Sequence, residues 1–80
     1  MTYLHKLHPG QTARVVGYTE DNPLTRRLNE LGLTPGRTVT YLRDAPLRDP
    51  LQIRVGECSL ALRHTDAALV AVEVDDPAVE

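Results

Sequence analysis

The segment that most constrains the fold of this chain runs from Leu31 to Gly36, with the sequence LGLTPG. Gly32 suits the left-handed position just beyond the end of a helix, and Leu33 is then expected to fold back onto Leu28 in a Schellman motif. The Pro35-Gly36 pair is typical of the two central positions of a type II turn. The segment therefore predicts that a helix ends, the chain turns and a strand begins.

The helix that ends at this junction is predicted from the residues before it. Asn22 is suited to the N-cap position and Pro23 to the first helical position. Three leucines at helical spacing are expected to face the core together, namely Leu24, Leu28 and Leu31. The polar face of this short helix then carries Arg26, Arg27 and Glu30.

Alternation of apolar and polar residues predicts five strands, at residues 12–18, 38–42, 51–55, 58–63 and 69–74. A Pro-Gly turn at 8–11 leads into the first strand, and Gly56-Glu57 predicts a tight hairpin. Two prolines make 45–50 an irregular connection, and Thr65 or Asp66 is expected to cap one helical turn. The predicted fold is mainly β: a small, partly open five-stranded barrel with one short α-helix inserted after the first strand.

Composition limits the class of protein. The 80 residues include no phenylalanine or tryptophan and three tyrosines, which predicts one domain over residues 1–80 with an aliphatic core, a core region of about 4–74 and a frayed acidic tail at 75–80. A net charge of -2 argues against a protein whose main partner is nucleic acid. The single Cys58 cannot form an internal disulfide, and we expect a cytoplasmic protein that reaches a membrane only through a partner.

Four elements, in order, carry a resemblance to a known family. They are Leu7 with Pro9-Gly10, RRLNELGL at 26–33 with Pro35-Gly36, APLRDPL at 45–51, and Ala61-Leu62-Arg63 with Ala67. Together they resemble the FeoA family of ferrous iron transport proteins over residues 4–74. One departure is Arg48, where relatives usually have glycine.

The resemblance implies an SH3-like β-barrel without enzymatic activity. It also implies a cytosolic accessory role beside FeoB, the membrane transporter whose cytosolic portion carries a GTPase domain. Whether such a protein stimulates GTP hydrolysis, assists assembly or senses metal is left open by the sequence, as is self-association.

The residues give no independent sign of metal binding or catalysis. His5, His8, Cys58 and His64 do not have the spacing of a metal site, and Cys58 shares the apolar period of its strand with Leu60, which predicts a buried thiol. Cys58 and Ser59 are neighbours in one strand, without a glycine-flanked nucleophile elbow, and no phosphate-binding glycine loop is present. We therefore predict no catalytic, cofactor or metal residues.

Two surfaces are candidates for binding a partner protein. Arg26, Arg27 and Glu30 form the first, on the polar face of the helix, although a solvated face is the simpler interpretation. Leu47 and Arg48 form the second, in the 45–50 connection, although Leu47 could instead pack onto the barrel.

Other binding modules remain as alternatives. A polyproline-binding groove needs more aromatic residues than three tyrosines provide. An RNA-binding barrel needs a concentrated basic face, whereas here the arginines are spread among eleven carboxylates. A metal-sensing regulatory domain would need a separate DNA-binding polypeptide.

Overall fold

The computed structural model describes residues 1–74 and forms one six-stranded antiparallel sheet. The strands are β1 (Thr2–Tyr3), β2 (Thr12–Tyr18), β3 (Thr38–Asp44), β4 (Leu51–Val55), β5 (Cys58–Leu62) and β6 (Val70–Val74). The helices are α1 (Pro23–Glu30) and α2 (His64–Ala67), and single 3-10 turns lie at Leu4–Lys6 and Pro46–Arg48. The predicted tail at 75–80 lies outside the described residues.

The strands follow the order β1-β6-β2-β3-β4-β5 across the sheet. The five predicted strands are all present, and those at 12–18 and 51–55 have the predicted bounds. The additional strand, β1, pairs Thr2 with Val72 and Tyr3 with Ala71. Two residues are too few to show an alternating pattern, so this strand exists only because β6 offers it an edge.

The junction after α1 has the geometry of a Schellman motif. The Leu33 N–H donates to the Leu28 carbonyl at 3.1 Å, the Gly32 N–H donates to the Asn29 carbonyl at 3.1 Å, and Gly32 has a φ of 117°. The Arg37 N–H then closes the turn on the Thr34 carbonyl at 3.0 Å.

This turn is attached to the middle of β2. The Gly36 N–H donates to the Val15 carbonyl at 2.8 Å, and the Val15 N–H donates to the Arg37 carbonyl at 2.9 Å. Gly36 has a φ of 91°, the left-handed region that glycine adopts without strain. The helix end, the turn and the strand are therefore one hydrogen-bonded unit.

The core is aliphatic apart from Tyr41, which is 2% exposed. Its other large buried side chains come from β2, β3, β4 and β6, from α1 and the turn after it, and from the 3-10 turn at Leu4–Lys6. They are Leu4, Leu28, Leu33, Leu51, Ile53, Val15, Val39, Val70 and Val72. Ala67 of α2 is also fully buried, so this short helix packs against the core.

Three sequence predictions about individual residues are wrong. Leu31 is 46% exposed, because α1 ends at Glu30 and Leu33 occupies the buried position instead. Cys58 is exposed, because β5 is an edge strand and no element within residues 1–74 covers the end where Cys58 lies. The N-cap of α2 is Arg63, not Thr65 or Asp66, and its side chain makes no capping hydrogen bond.

Candidate functional site

Leu47 is the most exposed large apolar side chain among the described residues, at 97%. It lies in the 3-10 turn Pro46–Arg48, which we call the 46–48 tip. Leu47 and Arg48 have φ values of 70° and 71°, in the left-handed region that few residues other than glycine adopt. The prediction that Leu47 could pack onto the barrel is therefore wrong, and the backbone holds this leucine in solvent.

The base of the 46–48 tip is closed by two backbone hydrogen bonds. The Arg48 N–H donates to the Ala45 carbonyl at 2.7 Å, and the Ala45 N–H donates to the Pro50 carbonyl at 2.9 Å. These bonds hold the ends of the connection together, so the apolar tip is presented on a defined turn.

A cluster of polar side chains beside this base was not predicted from the sequence. The Asp49 Oδ1 accepts the backbone N–H of His64 at 2.9 Å and lies 2.9 Å from His64 Nδ1, while His64 Nε2 lies 3.6 Å from Asp44 Oδ1. The Tyr41 hydroxyl donates to Asp44. No spacing in the sequence signals this cluster, because its members come from β3, the connection after it and the start of α2.

The cluster changes two pKa values. Hydrogen bonds from the His64 ring and its backbone N–H lower the pKa of Asp49. Burial, then the hydrogen bond to Asp44 and the charge of that carboxylate, raise the pKa of Tyr41 to about 12. At neutral pH Asp49 is therefore ionised and Tyr41 is a neutral donor, the states that these contacts need.

The other candidate surface lies on α1, whose start is fixed by a reciprocal cap. The Asn22 Oδ1 accepts the Thr25 N–H at 2.9 Å, and the Thr25 Oγ1 accepts the Asn22 N–H at 2.9 Å. Thr25 is 3% exposed, so the hydroxyl that closes the cap is also packed into the fold. This capping box sets which side chains of α1 face solvent.

The two arginines of α1 differ in their contacts. Arg26 Nε donates to Asp21 Oδ1 at 2.9 Å, and this contact raises the pKa of Arg26 and lowers that of Asp21. Arg27 is exposed and has no ion pair within residues 1–74. It precedes the exposed Leu31 by four positions, so both lie on one side of the helix. Of the two arginines of α1, Arg27 is therefore the one that has no ion pair with another described residue.

Arg26 and Glu30 instead line an open cleft of about 540 Å³ between α1 and the end of β2. The other lining residues are Tyr18, Thr19, Glu20, Asp21, Thr25 and Asn29. Three carboxylates and one guanidinium give this cleft a negative balance. No hydrogen bond or ion pair among the described residues links α1 to the 46–48 tip.

The residues considered for metal binding are dispersed. Burial, then the charges of Lys6 and His64, lower the pKa of His5, whose Nδ1 is buried without a hydrogen-bond partner among the residues described. His8 is exposed beside the Pro9-Gly10 turn, and Cys58 is exposed on β5. Within residues 1–74 there is no group of three His, Cys, Asp or Glu side chains placed to hold a metal ion.

No helix in the described part of the chain has the length and apolar composition needed to cross a membrane. Basic residues are interspersed with acidic ones: Arg14 Nη2 lies 3.7 Å from Glu73 Oε1, and Arg26 pairs with Asp21.

Comparison with known proteins identifies relatives of this fold and sequence. The family model of the FeoA domain matches residues 2–74. A solution structure of iron(II) transport protein A from Clostridium thermocellum is 32% identical, with a TM-score of 0.86 over 92% of this chain and 46% of that one. The crystal structure of Stenotrophomonas maltophilia FeoA, a zinc complex described as a prokaryotic SH3 domain protein, is 31% identical, with a TM-score of 0.81 over 91% of each chain.

A curated relative joins this domain to a transporter. It is the Fe(2+) transport protein A/Fe(2+) transporter FeoB fusion protein of Porphyromonas gingivalis, 37% identical over 71 residues. The match covers 89% of this chain, which spans only 8% of the fusion protein's length. With the family model covering almost the whole described chain and relatives of the same SH3-like fold, this chain belongs to the FeoA family.

Proposed function

We propose that this chain is a cytosolic accessory protein of ferrous iron uptake, which acts by binding the cytosolic part of a FeoB-type transporter and catalyses no reaction itself. The observation that carries the proposal is the P. gingivalis protein, in which a related domain and FeoB form one polypeptide. Domains that are fused in one protein commonly act on each other, and a separate chain of the same family must then find its partner by association.

The 46–48 tip supports binding through a surface of the barrel. A leucine that is 97% exposed contributes nothing to the core, and the left-handed backbone beneath it costs conformational energy. An apolar anchor on a hydrogen-bonded turn can enter a pocket of a partner with little loss of backbone entropy. Arg48 beside it adds a charge that can orient the partner.

The α1 surface supports a second contact made by Arg27 and Leu31. Arg27 has no ion pair within residues 1–74, and Leu31 is 46% exposed one helical turn later. Arginine is enriched at protein interfaces, and Leu31 adds exposed apolar area beside it. Arg26 is less suited to this role, because its guanidinium is already paired with Asp21.

Calorimetric titration of the chain with the cytosolic portion of a FeoB-type transporter tests the proposal. The wild type is expected to bind, Arg27→Glu to weaken binding by about three- to tenfold, and the matched Arg26→Glu variant to weaken it less. Both exposed substitutions should change the free energy of unfolding by no more than about 0.5 kcal/mol. A folded wild type that does not bind would refute the proposal, and binding to homopolymer RNA instead would favour the RNA-binding alternative.

A further inference from the structure

The strand β5 lies at one end of the sheet and is paired along only one edge. It pairs with β4 from Leu51–Leu62 to Val55–Cys58, and no strand within residues 1–74 pairs with its outer edge. Ser59 and Ala61 are exposed. An unpaired edge of this kind presents a row of backbone donors and acceptors to another strand.

The hairpin between β4 and β5 determines which backbone groups point outward. Val55 and Cys58 flank the two-residue turn Gly56-Glu57, so they exchange hydrogen bonds, and bonded pairs recur at every second residue. The backbone groups of Ser59 and Ala61 consequently point away from β4. Neither residue has a hydrogen bond to another described residue on that side. The edge therefore offers two N–H donors and two carbonyl acceptors.

Two residues of opposite charge lie at equal sequence separation from Leu60, one before it and one after it. Glu57 precedes the strand, Arg63 follows it, and both are exposed. If two β5 strands pair antiparallel with their Leu60 residues opposite each other, Glu57 of each copy lies opposite Arg63 of the other, and Ser59 lies opposite Ala61. We propose that two copies of this chain form a two-fold symmetric dimer through β5 in this register.

The register is selected by charge and by the side chains at its centre. A slip of two residues in either direction would separate both Glu57–Arg63 pairs, because each charge would then face an uncharged residue or lie beyond the strand. In the proposed register the two Leu60 residues form a non-hydrogen-bonded pair, whose Cα atoms approach to about 4.5 Å. Leu60 is half-buried in one chain, and a second Leu60 covers its exposed part.

The dimer does not depend on a disulfide. In this register Cys58 of one copy is four residues along the strand from Cys58 of the other, a separation of about 13 Å, whereas bridged cysteines have Cα atoms closer than about 7 Å. Dimerisation through β5 is therefore insensitive to reductant. Covalent dimerisation through the exposed Cys58 thiol would be abolished by reductant, so the two are distinguishable.

Sedimentation velocity under reducing conditions tests the proposal. A single strand pair buries less surface than a standard interface and forms a weak dimer, so the protein concentration should range from about 10 μM to about 1 mM. The wild type is expected to shift from monomer to dimer across this range. Glu57→Arg should weaken the dimer roughly tenfold, because two opposite-charge pairs become two like-charge pairs. The double variant Glu57→Arg with Arg63→Glu restores both pairs with their signs exchanged and should recover the wild-type dimer.

Thermal melting of each variant shows whether the fold is kept. This control matters most for the Arg63 variant, since the charge of Arg63 also helps to lower the pKa of Asp49.

Ala61→Pro tests the strand pairing without changing any charge. It removes an outward N–H without removing a hydrogen bond to β4, and should abolish the dimer in a folded chain. Hydrogen exchange at the amides of Ser59 and Ala61 should slow as concentration rises, while the Leu60 amide, which faces β4, serves as the internal reference.

The proposal is overturned if the reduced wild type stays monomeric at about 1 mM. It is also overturned if a dimer forms but survives both Ala61→Pro and Glu57→Arg unchanged. Neither the 46–48 tip nor Arg27 takes part in this pairing, so binding to the transporter and dimerisation through β5 succeed or fail separately.

Discussion

The Tyr18 hydroxyl donates a hydrogen bond of 2.6 Å to the backbone carbonyl of Leu33. This contact joins the last residue of β2 to the residue that follows the helix end at Gly32. Burial raises the pKa of Tyr18, so its hydroxyl remains protonated and can donate across the neutral range. The position at which the chain leaves α1 is therefore fixed by the tyrosine as well as by the glycine.

Replacing Tyr18 with phenylalanine is expected to lower the free energy of unfolding by about 1–2 kcal/mol, because the partly buried Leu33 carbonyl loses its donor. In a domain of this size that corresponds to a fall in melting temperature of roughly 4–8 °C per kcal/mol. Tyr3→Phe is the matched control, since the Tyr3 hydroxyl has no hydrogen bond to a described residue. Equal losses in the two variants would show that the Tyr18–Leu33 contact does not stabilise the junction.

Gly32→Val should cost on the order of 1–2 kcal/mol or more, measured by urea unfolding. The cause is the φ of 117°, because a Cβ at Gly32 would meet Val55 only at an ordinary contact distance of 3.5 Å. Gly17→Val is the control: Gly17 has no positive φ, and nothing lies within 4 Å of an added Cβ. We expect it to change stability by no more than about 0.5 kcal/mol. If both variants lost the same stability, backbone strain at Gly32 would not be the reason.

Leu47→Asp should leave the fold intact and weaken binding to the transporter's cytosolic part by about 30-fold, the loss typical of a central apolar anchor. Aspartate tolerates the left-handed backbone at this position, so the free energy of unfolding should not fall. Val16→Asp replaces another exposed apolar residue, 45% exposed on β2, and should leave binding unchanged. Wild-type affinity in a folded Leu47→Asp variant would exclude the 46–48 tip as the docking surface.

Alkaline pH should destabilise the protein through Tyr41. Its pKa is about 12 in the folded chain and 10.0 in the unfolded one, so between these values the unfolded state binds fewer protons and stability falls as pH rises. The difference between the two pKa values limits the loss of unfolding free energy to about 1–3 kcal/mol between pH 10 and 12. Tyr41→Phe should show a shallower decline in urea unfolding over this range. A decline equal to that of the wild type would mean that Tyr41 ionises normally.

The sequence predicted the candidate surfaces only in part. It placed Arg26 and Arg27 together on the polar face of α1, but helix spacing could not show that Asp21 pairs with Arg26 while Arg27 pairs with no residue of the described chain. It offered two conformations for Leu47, and the choice depended on left-handed φ values at two residues that are not glycine. Local patterns do not encode such values, because the surrounding hydrogen bonds impose them.

What the sequence determined by itself are the features set within a few residues. The cap at Asn22, the helix end at Gly32 and the alternating strands at 12–18 and 51–55 follow from backbone preferences and side-chain periodicity, which act locally. Tertiary structure decided what covers each face. Cys58 and Leu31 satisfy an apolar period and are nevertheless exposed, because β5 is an edge strand and Leu33 occupies the place predicted for Leu31. Periodicity specifies the direction of a side chain, whereas burial also requires another element of the fold to pack against it.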